Sequence, residues 1–259
     1  MLCVTTLSRR IAMEPVIAWI LAFMTAVAPP GRKTFYTEAQ ETQAEAQARY
    51  DDIAKDIVDV VYDPQTKVLF GGANGRSRTV SIILSIMLHE SGFMKNVDYG
   101  VGKYARGDQG RSWCLMQLNI GEGRTLRWNT KEDRPPRWGD NPSDILDGYT
   151  GPELVADRQL CIREGLKVLR VSFSSCRGSL PLNQRLRVYA SGNCDGGSEG
   201  SAARMNTAIR WFQNSRDERK LFDEADVTRL VAARIQARQR ASSAGTQENP
   251  NDGRTARTP

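Results

Sequence analysis

Glu90 is the side chain whose surroundings best equip it for chemistry. It follows a strongly apolar run, Val80 to Leu88, and stands two residues before Gly92 in His89-Glu90-Ser91-Gly92-Phe93. Such a run reads as a buried helix, and a carboxylate at its end is costly to keep ionised, so its pKa should rise. A carboxyl that holds its proton near neutral pH is a general acid able to protonate a glycosidic oxygen. Because glutamate is rarely buried, the competing account is a side chain that turns outward where the helix ends. His89 is the single histidine, so no His-based metal site can be assembled. No Ser-His-Asp relay is suggested either, and His89 reads as a packing or hydrogen-bonding neighbour of Glu90.

Three more segments follow in order: Leu115-Met116-Gln117-Leu118-Asn119, then Leu160 to Leu169 with Gly165 inside it, then Val188-Tyr189-Ala190-Ser191-Gly192. With Glu90-Ser91-Gly92-Phe93 they resemble, over roughly residues 75 to 215, the motifs of the lytic transglycosylases in the lysozyme-like superfamily. The resemblance implies a mainly α, α+β lysozyme-like fold: a helical domain with a small β-hairpin or loop region lining a glycan cleft. It implies Glu90 as the catalytic acid and base, with Ser91, Gln117, Asn119, Tyr189 and Gly192 as substrate-binding positions. No cofactor and no metal are called for. Three positions depart from the pattern. Cys114 stands where the family has a glycine, Cys161 where it has an asparagine, and Ala190 where an asparagine follows the tyrosine.

The two departing cysteines belong to neighbouring motifs of the family fold, which implies a Cys114–Cys161 bridge. Cys176 and Cys194 would then staple the segment carrying Tyr189. Four cysteines allow three connectivities, and four buried thiols are the alternative. Bridges would imply an oxidising or extracellular destination.

Ordinary glycosidases use two carboxylates. Animal-type lysozymes place an aspartate five residues before the glutamine of the second motif, a place held here by Ser112. Asp98 and Asp108 are the nearest candidates, with Asp108 able to reach a cleft from a hairpin or to be a solvated loop residue. The chain therefore looks like the single-acid transglycosylases. In that resemblance Glu90 protonates the β-1,4 bond between N-acetylmuramic acid and N-acetylglucosamine, then accepts the proton of the muramic 6-hydroxyl, giving a 1,6-anhydro product.

The elements that must position these residues are legible in outline. Glu38 to Val61 reads as a helix, and Thr79 as a candidate cap for the helix carrying Glu90. A short hairpin or cleft-lining loop is expected from Asn96 to Ser112, and a long irregular loop from Arg124 to Tyr149 with Trp128 and Trp138. Thr150-Gly151-Pro152-Glu153 is a capping-box pattern opening a helix to about Val171. Further helices are expected over Leu182–Ala190, Ala202–Phe212 and Glu218–Arg238. The domain spans 34–238, with a tail over 239–259 expected to be disordered. Residues 1–33 read as a leader and linker: Arg9 and Arg10 precede an apolar stretch from Val16 to Ala28 that ends Ala26-Val27-Ala28, like a secretory signal. The alternative is an apolar helix packed on the domain.

The chain has 259 residues, 40% hydrophobic content and a net charge of +6, enough for one domain with a core and suited to an anionic partner. Gly71-Gly72-Ala73-Asn74-Gly75 lacks the Lys-Ser/Thr of a phosphate loop, and no basic-aromatic repeat is present, so nucleic acid is not expected as a partner. The expected partners are peptidoglycan glycan strands and, for a phage-borne enzyme, virion components, with transient membrane contact through the leader. The expected location is secreted, periplasmic or cell-envelope, or else on the virion. A hydrolysing muramidase assisted by Asp108, and a non-catalytic wall-binding or virion structural module, are the alternatives.

Overall fold

The run around Leu84 forms the central helix. In the computed structural model, which describes residues 4–120, 127–129, 131, 141–175 and 180–245, α3 (Gly75–Ser91) is buried on nearly every side from Ser77 to Met87. A helix apolar all round has to be enclosed. Three helices surround it: α1 (Val4–Val27), α2 (Gln43–Val61) and α8 (Ser198–Asn214). The protein is mainly helical. The remaining helices are α4 (Lys95–Asp98), α5 (Gly151–Ala156), α6 (Arg158–Ser175), α7 (Arg187–Ser191), α9 (Arg216–Arg219) and α10 (Glu224–Gly245). Two small antiparallel strand pairs lie among the described residues: β1 (Ser112–Trp113) with β2 (Leu118–Asn119), and β3 (Arg127–Asn129) with β4 (Ile145–Asp147).

The signal-like stretch packs into the core. Val16, Trp19, Ile20, Phe23, Met24 and Ala28 are buried, at spacings of three and four that place them on one side of a helix. Ala18, Ala22, Thr25 and Ala26 face out. Trp19 donates from Nε1 to Ser215 Oγ at 2.8 Å and stacks on Trp211, and Tyr50 donates its hydroxyl proton to Ala28 O at 2.8 Å. No described helix is long and apolar enough to cross a membrane.

The start of α3 is fixed from a distance. Asn74, in the left-handed region, precedes the helix, and Thr79 lies inside it, donating to Gly75 O and accepting from Leu69 N. The expected cap at Thr79 is therefore corrected: the free N–H groups of Arg76 and Ser77 donate to the carboxylate of Glu224, at 3.3 and 2.6 Å. A carboxylate there satisfies donors the helix cannot and offsets the positive end of its dipole. Other boundaries shift for local reasons. The Thr150–Glu153 capping box forms as the pattern predicts, but extended backbone at Asp157 splits the expected single helix into α5 and α6. Thr42 and Glu45 form a second capping box that starts α2 at Gln43 rather than Glu38. The hairpin expected over Asn96 to Ser112 falls one segment later, at 112–119, and α10 continues to Gly245 through part of the expected tail. Residues 246–259 lie outside the described residues.

A buried ionic cluster joins α2, α4 and α6. Asp98, 4% exposed, receives both Nε and Nη2 of Arg158 at 2.9 Å, and Arg158 also donates to Asp56. Asp98 is therefore a structural carboxylate and drops out as a catalytic candidate.

Candidate active site

Glu90 lies on the last turn of α3, where that helix runs beside α8. Ser85 donates to Arg204 O at 2.6 Å, and His89 Nε2 meets Thr207 Oγ1 at 3.1 Å. This alignment sets Arg204 opposite Glu90, so that Arg204 Nε and Nη2 both donate to Glu90 Oε1, at 2.9 and 2.6 Å. Both side chains are largely withdrawn from solvent. Among the described residues nothing donates to Oε2. Burial pushes the Glu90 carboxyl above the ordinary range, and the charge of Asp108 adds to the rise. The Arg204 guanidinium opposes both. Burial and then Arg204 lower the His89 imidazole, whose ring is turned toward Thr207 and away from any role beside the acid.

Asp108 approaches from the turn before β1. Its Oδ2 accepts from Ser112 Oγ at 2.6 Å and from Asn119 Nδ2 at 3.1 Å. The Ser112 hydrogen bond, with Asn119 and the charge of Arg111, holds the Asp108 carboxyl below its usual range. Two carboxylates thus sit within one another's field with opposite environments, one desolvated and raised, the other hydrogen-bonded and lowered. Such divergence is how acid and base roles are assigned to a pair. Ser112 donates to Asp108 and orients it.

Tyr189 on α7 donates its hydroxyl proton to Met116 O at 2.5 Å. Burial and then the nearby Glu90 charge raise its phenol well above normal, so it stays neutral with its oxygen lone pairs unprotonated. Gly192 ends α7 in a left-handed conformation, and a side chain there would meet open space.

Two expected substrate contacts have other uses. Ser91 is buried, donating to Met87 O at 2.7 Å and accepting from Phe93 N at 3.2 Å. It fixes the exit from α3 instead of bonding near the acid. Gln117 accepts from Gly107 N at 2.7 Å and donates to Cys114 O at 3.1 Å and Ala105 O at 3.3 Å. Its amide clamps the turn carrying Asp108 onto the turn before β2. Asn119 is exposed and touches the site through Asp108.

The backbone of this turn is unusual. Asp108, Gln109, Cys114 and Gln117 all adopt positive φ, between 48° and 60°. Non-glycine residues are held there only where the surroundings enforce it, often at functional sites. For Cys114, at φ 60°, the enforcement is a disulfide to Cys161. The two cysteines that depart from the resemblance are thus joined to one another, and the left-handed position before Leu115 is held by a bridged cysteine. Cys194 is disulfide-bonded as well. Its expected partner Cys176 lies outside the described residues, as does Trp138.

Arg204 carries no mark in the sequence. It is 114 residues from Glu90, on a helix whose other arginine, Arg210, looks the same in sequence. The one local signal is Ser85 and His89, polar residues one turn apart toward the end of the largely apolar run that begins at Val80, which mark where a partner helix must offer polar atoms. A cavity of about 730 Å³ lined by Phe70, Arg76, Phe222 and Glu224 lies at the other end of α3, roughly 20 Å along the helix from Glu90. It is too far away to share the chemistry. Comparison with known proteins is silent. No protein-family model, curated protein or solved structure matches the chain.

Proposed function

We propose that this protein cleaves peptidoglycan glycan strands at the β-1,4 bond between N-acetylmuramic acid and N-acetylglucosamine, with Glu90 as general acid and then base. The observation that carries the reading is the state of Glu90. It is a desolvated carboxyl with one oxygen held by Arg204 and the other open, and the ordered, ionised Asp108 lies within its field. Oε2 donates its proton to the glycosidic oxygen, the C–O bond breaks with its electron pair passing to the leaving sugar, and an oxocarbenium-like centre develops at the anomeric carbon. The muramic 6-hydroxyl then attacks that carbon and returns its proton to Oε2, leaving a 1,6-anhydro end. The Tyr189 oxygen, its own proton committed to Met116, presents the negative end of a dipole to the developing positive charge.

A lysozyme-like cleft between the end of α3 and the β1–β2 hairpin would hold the strand. The Cys114–Cys161 disulfide supports a destination outside the reducing cytoplasm, at the cell envelope or on a virion. Hydrolysis is the second reading, and Asp108 favours it: an ionised, hydrogen-bonded carboxylate beside a raised one is the arrangement of a two-carboxylate muramidase.

The test is digestion of purified murein sacculi with the full chain, the released muropeptides being weighed by mass spectrometry. Anhydro ends, one water lighter, support the transglycosylase outcome, whereas reducing ends move the assignment to hydrolysis with Asp108. Binding without any product would reduce the protein to a wall-binding module.

A further inference from the structure

An acid that must also serve as base faces two demands. It has to aim one oxygen at the reacting bond, and its carboxylate has to survive in a desolvated place until a proton returns. Arg204 meets both by geometry. Its Nε and Nη2 converge on Oε1, so only Oε2 remains open. The guanidinium cannot swing away easily. Nη1 donates to Gly200 O at 2.9 Å, and the Arg204 carbonyl accepts from Ser85. A side chain at residue 200 would reach within 2.7 Å of Nη1, so Gly200 leaves the room the guanidinium occupies.

Among the described residues, few charged or titratable groups act on Glu90. Arg204 comes from α8, Asp108 from the turn before β1 and Tyr189 from α7, while His89 on α3 itself is turned toward Thr207. Arg204 is the one positive charge in that set. Burial and Asp108 both act to keep the proton on Glu90, and within the set Arg204 alone acts to release it.

We propose that Arg204 is the positioning residue of this site, holding Oε1 so that Oε2 alone delivers and recovers the proton, and stabilising the carboxylate between the two steps. The inference rests on the reading of Glu90 as the acid. In the first step the proton leaves Oε2 for the glycosidic oxygen, and the carboxylate left behind stays paired with Arg204. In the second, the incoming hydroxyl gives its oxygen electron pair to the anomeric carbon and its proton to Oε2. Without Arg204 the acid would hold its proton more tightly, deliver it less readily and sample more than one orientation. Lysine, a point charge without the planar pair of donors, would restore the field better than the aim.

The experiment compares the full chain with Arg204→Gln and Arg204→Lys, the Glu90 carboxyl carbon being followed by carbon-13 NMR from acid to neutral pH. Its signal is assigned by its loss in Glu90→Gln. The pH dependence of kcat and KM on soluble murein glycan is measured in parallel. The proposal expects the Glu90 midpoint and the alkaline limb of kcat to move together to higher pH in Arg204→Gln. It also expects kcat to fall about 10- to 100-fold with KM little changed. In Arg204→Lys the midpoint should move less, with kcat between the two. An unmoved midpoint in both variants, or a loss confined to KM, overturns it. Should the unaltered chain cleave no murein, the functional reading fails by itself, while the NMR midpoint still decides whether Arg204 governs Glu90.

Discussion

Removing residues 1–28 should abolish folding, and the size of the effect can be worked from burial. Val16, Trp19, Ile20, Phe23 and Met24 are at most 1% exposed. Each fully buried side chain of this kind contributes roughly 1.5–3 kcal/mol, so the five together approach about 8–15 kcal/mol. That is an upper estimate, because an unfolded chain already hides part of this surface. It still matches the roughly 5–15 kcal/mol by which a whole domain is stable. Truncation also takes Ala28 O from the buried Tyr50 hydroxyl and Trp19 from Ser215. A chain beginning at Pro29 is therefore expected to show no cooperative transition in a urea melt followed by far-UV circular dichroism. The graded version is Trp19→Ala in the full chain, expected to lose about 3–5 kcal/mol and to lower Tm by roughly 6–20 °C. A 29–259 chain that unfolds cooperatively at the midpoint of the full chain would refute the reasoning. The stakes reach the N-terminus itself, because processing after Ala28 would remove a core helix.

Two further predictions concern the bridged cysteine and the two carboxylates. Cys114→Ala loses the disulfide, which closes a loop of 47 residues and is worth about 4 kcal/mol by chain entropy. It also leaves a side chain at φ 60°. Cys114→Gly loses the same bridge but not the conformational fit, so it should melt above the alanine variant, with a difference of about 1–2 kcal/mol; equal melting points would dismiss the left-handed strain. The pH profile of kcat/KM should fall on the alkaline side as Glu90, its pKa raised, loses its proton. In the two-carboxylate reading it should also fall at low pH, below the usual aspartate range, as Asp108 gains one. Asp108→Asn should then erase the acid limb and, by removing a charge that lifts Glu90, move the alkaline limb to lower pH. An alkaline limb that stays in place would separate the two groups.

Local signals are legible in the sequence, and partners brought in from afar are not. Thr150 and Glu153 cap a helix with groups three residues apart, and that pattern marks the start of α5. Glu90 is legible because the apolar run before it has to be buried whatever encloses it. The Cys114–Cys161 bridge follows from the family resemblance rather than from spacing. By contrast, Glu224 caps α3 from 147 residues away, and no local pattern marks it. A charged outer face is what distinguishes a packed helix from a signal, and α1 lacks one between Val16 and Ala28, where its outward side is alanine and threonine. Gln117 and Ser91 suit substrate by type, yet Gln117 satisfies backbone groups that the tertiary turn brings to it, and Ser91 those at the end of its own helix.

The most direct test of the central claim is murein cleavage by Glu90→Gln beside the unaltered chain, with thermal melts of both. Glutamine keeps an acceptor oxygen for Arg204 Nε and Nη2 and cannot donate as an acid, so the fold should persist at neutral pH. Burial raises the Glu90 pKa, so its contribution to stability is present at low pH and lost as pH rises through that value. The neutral amide should therefore not lower Tm there. The account predicts an unchanged or higher Tm with cleavage reduced by at least about a thousandfold. A folded Glu90→Gln protein that releases muropeptides at the rate of the unaltered chain would contradict it.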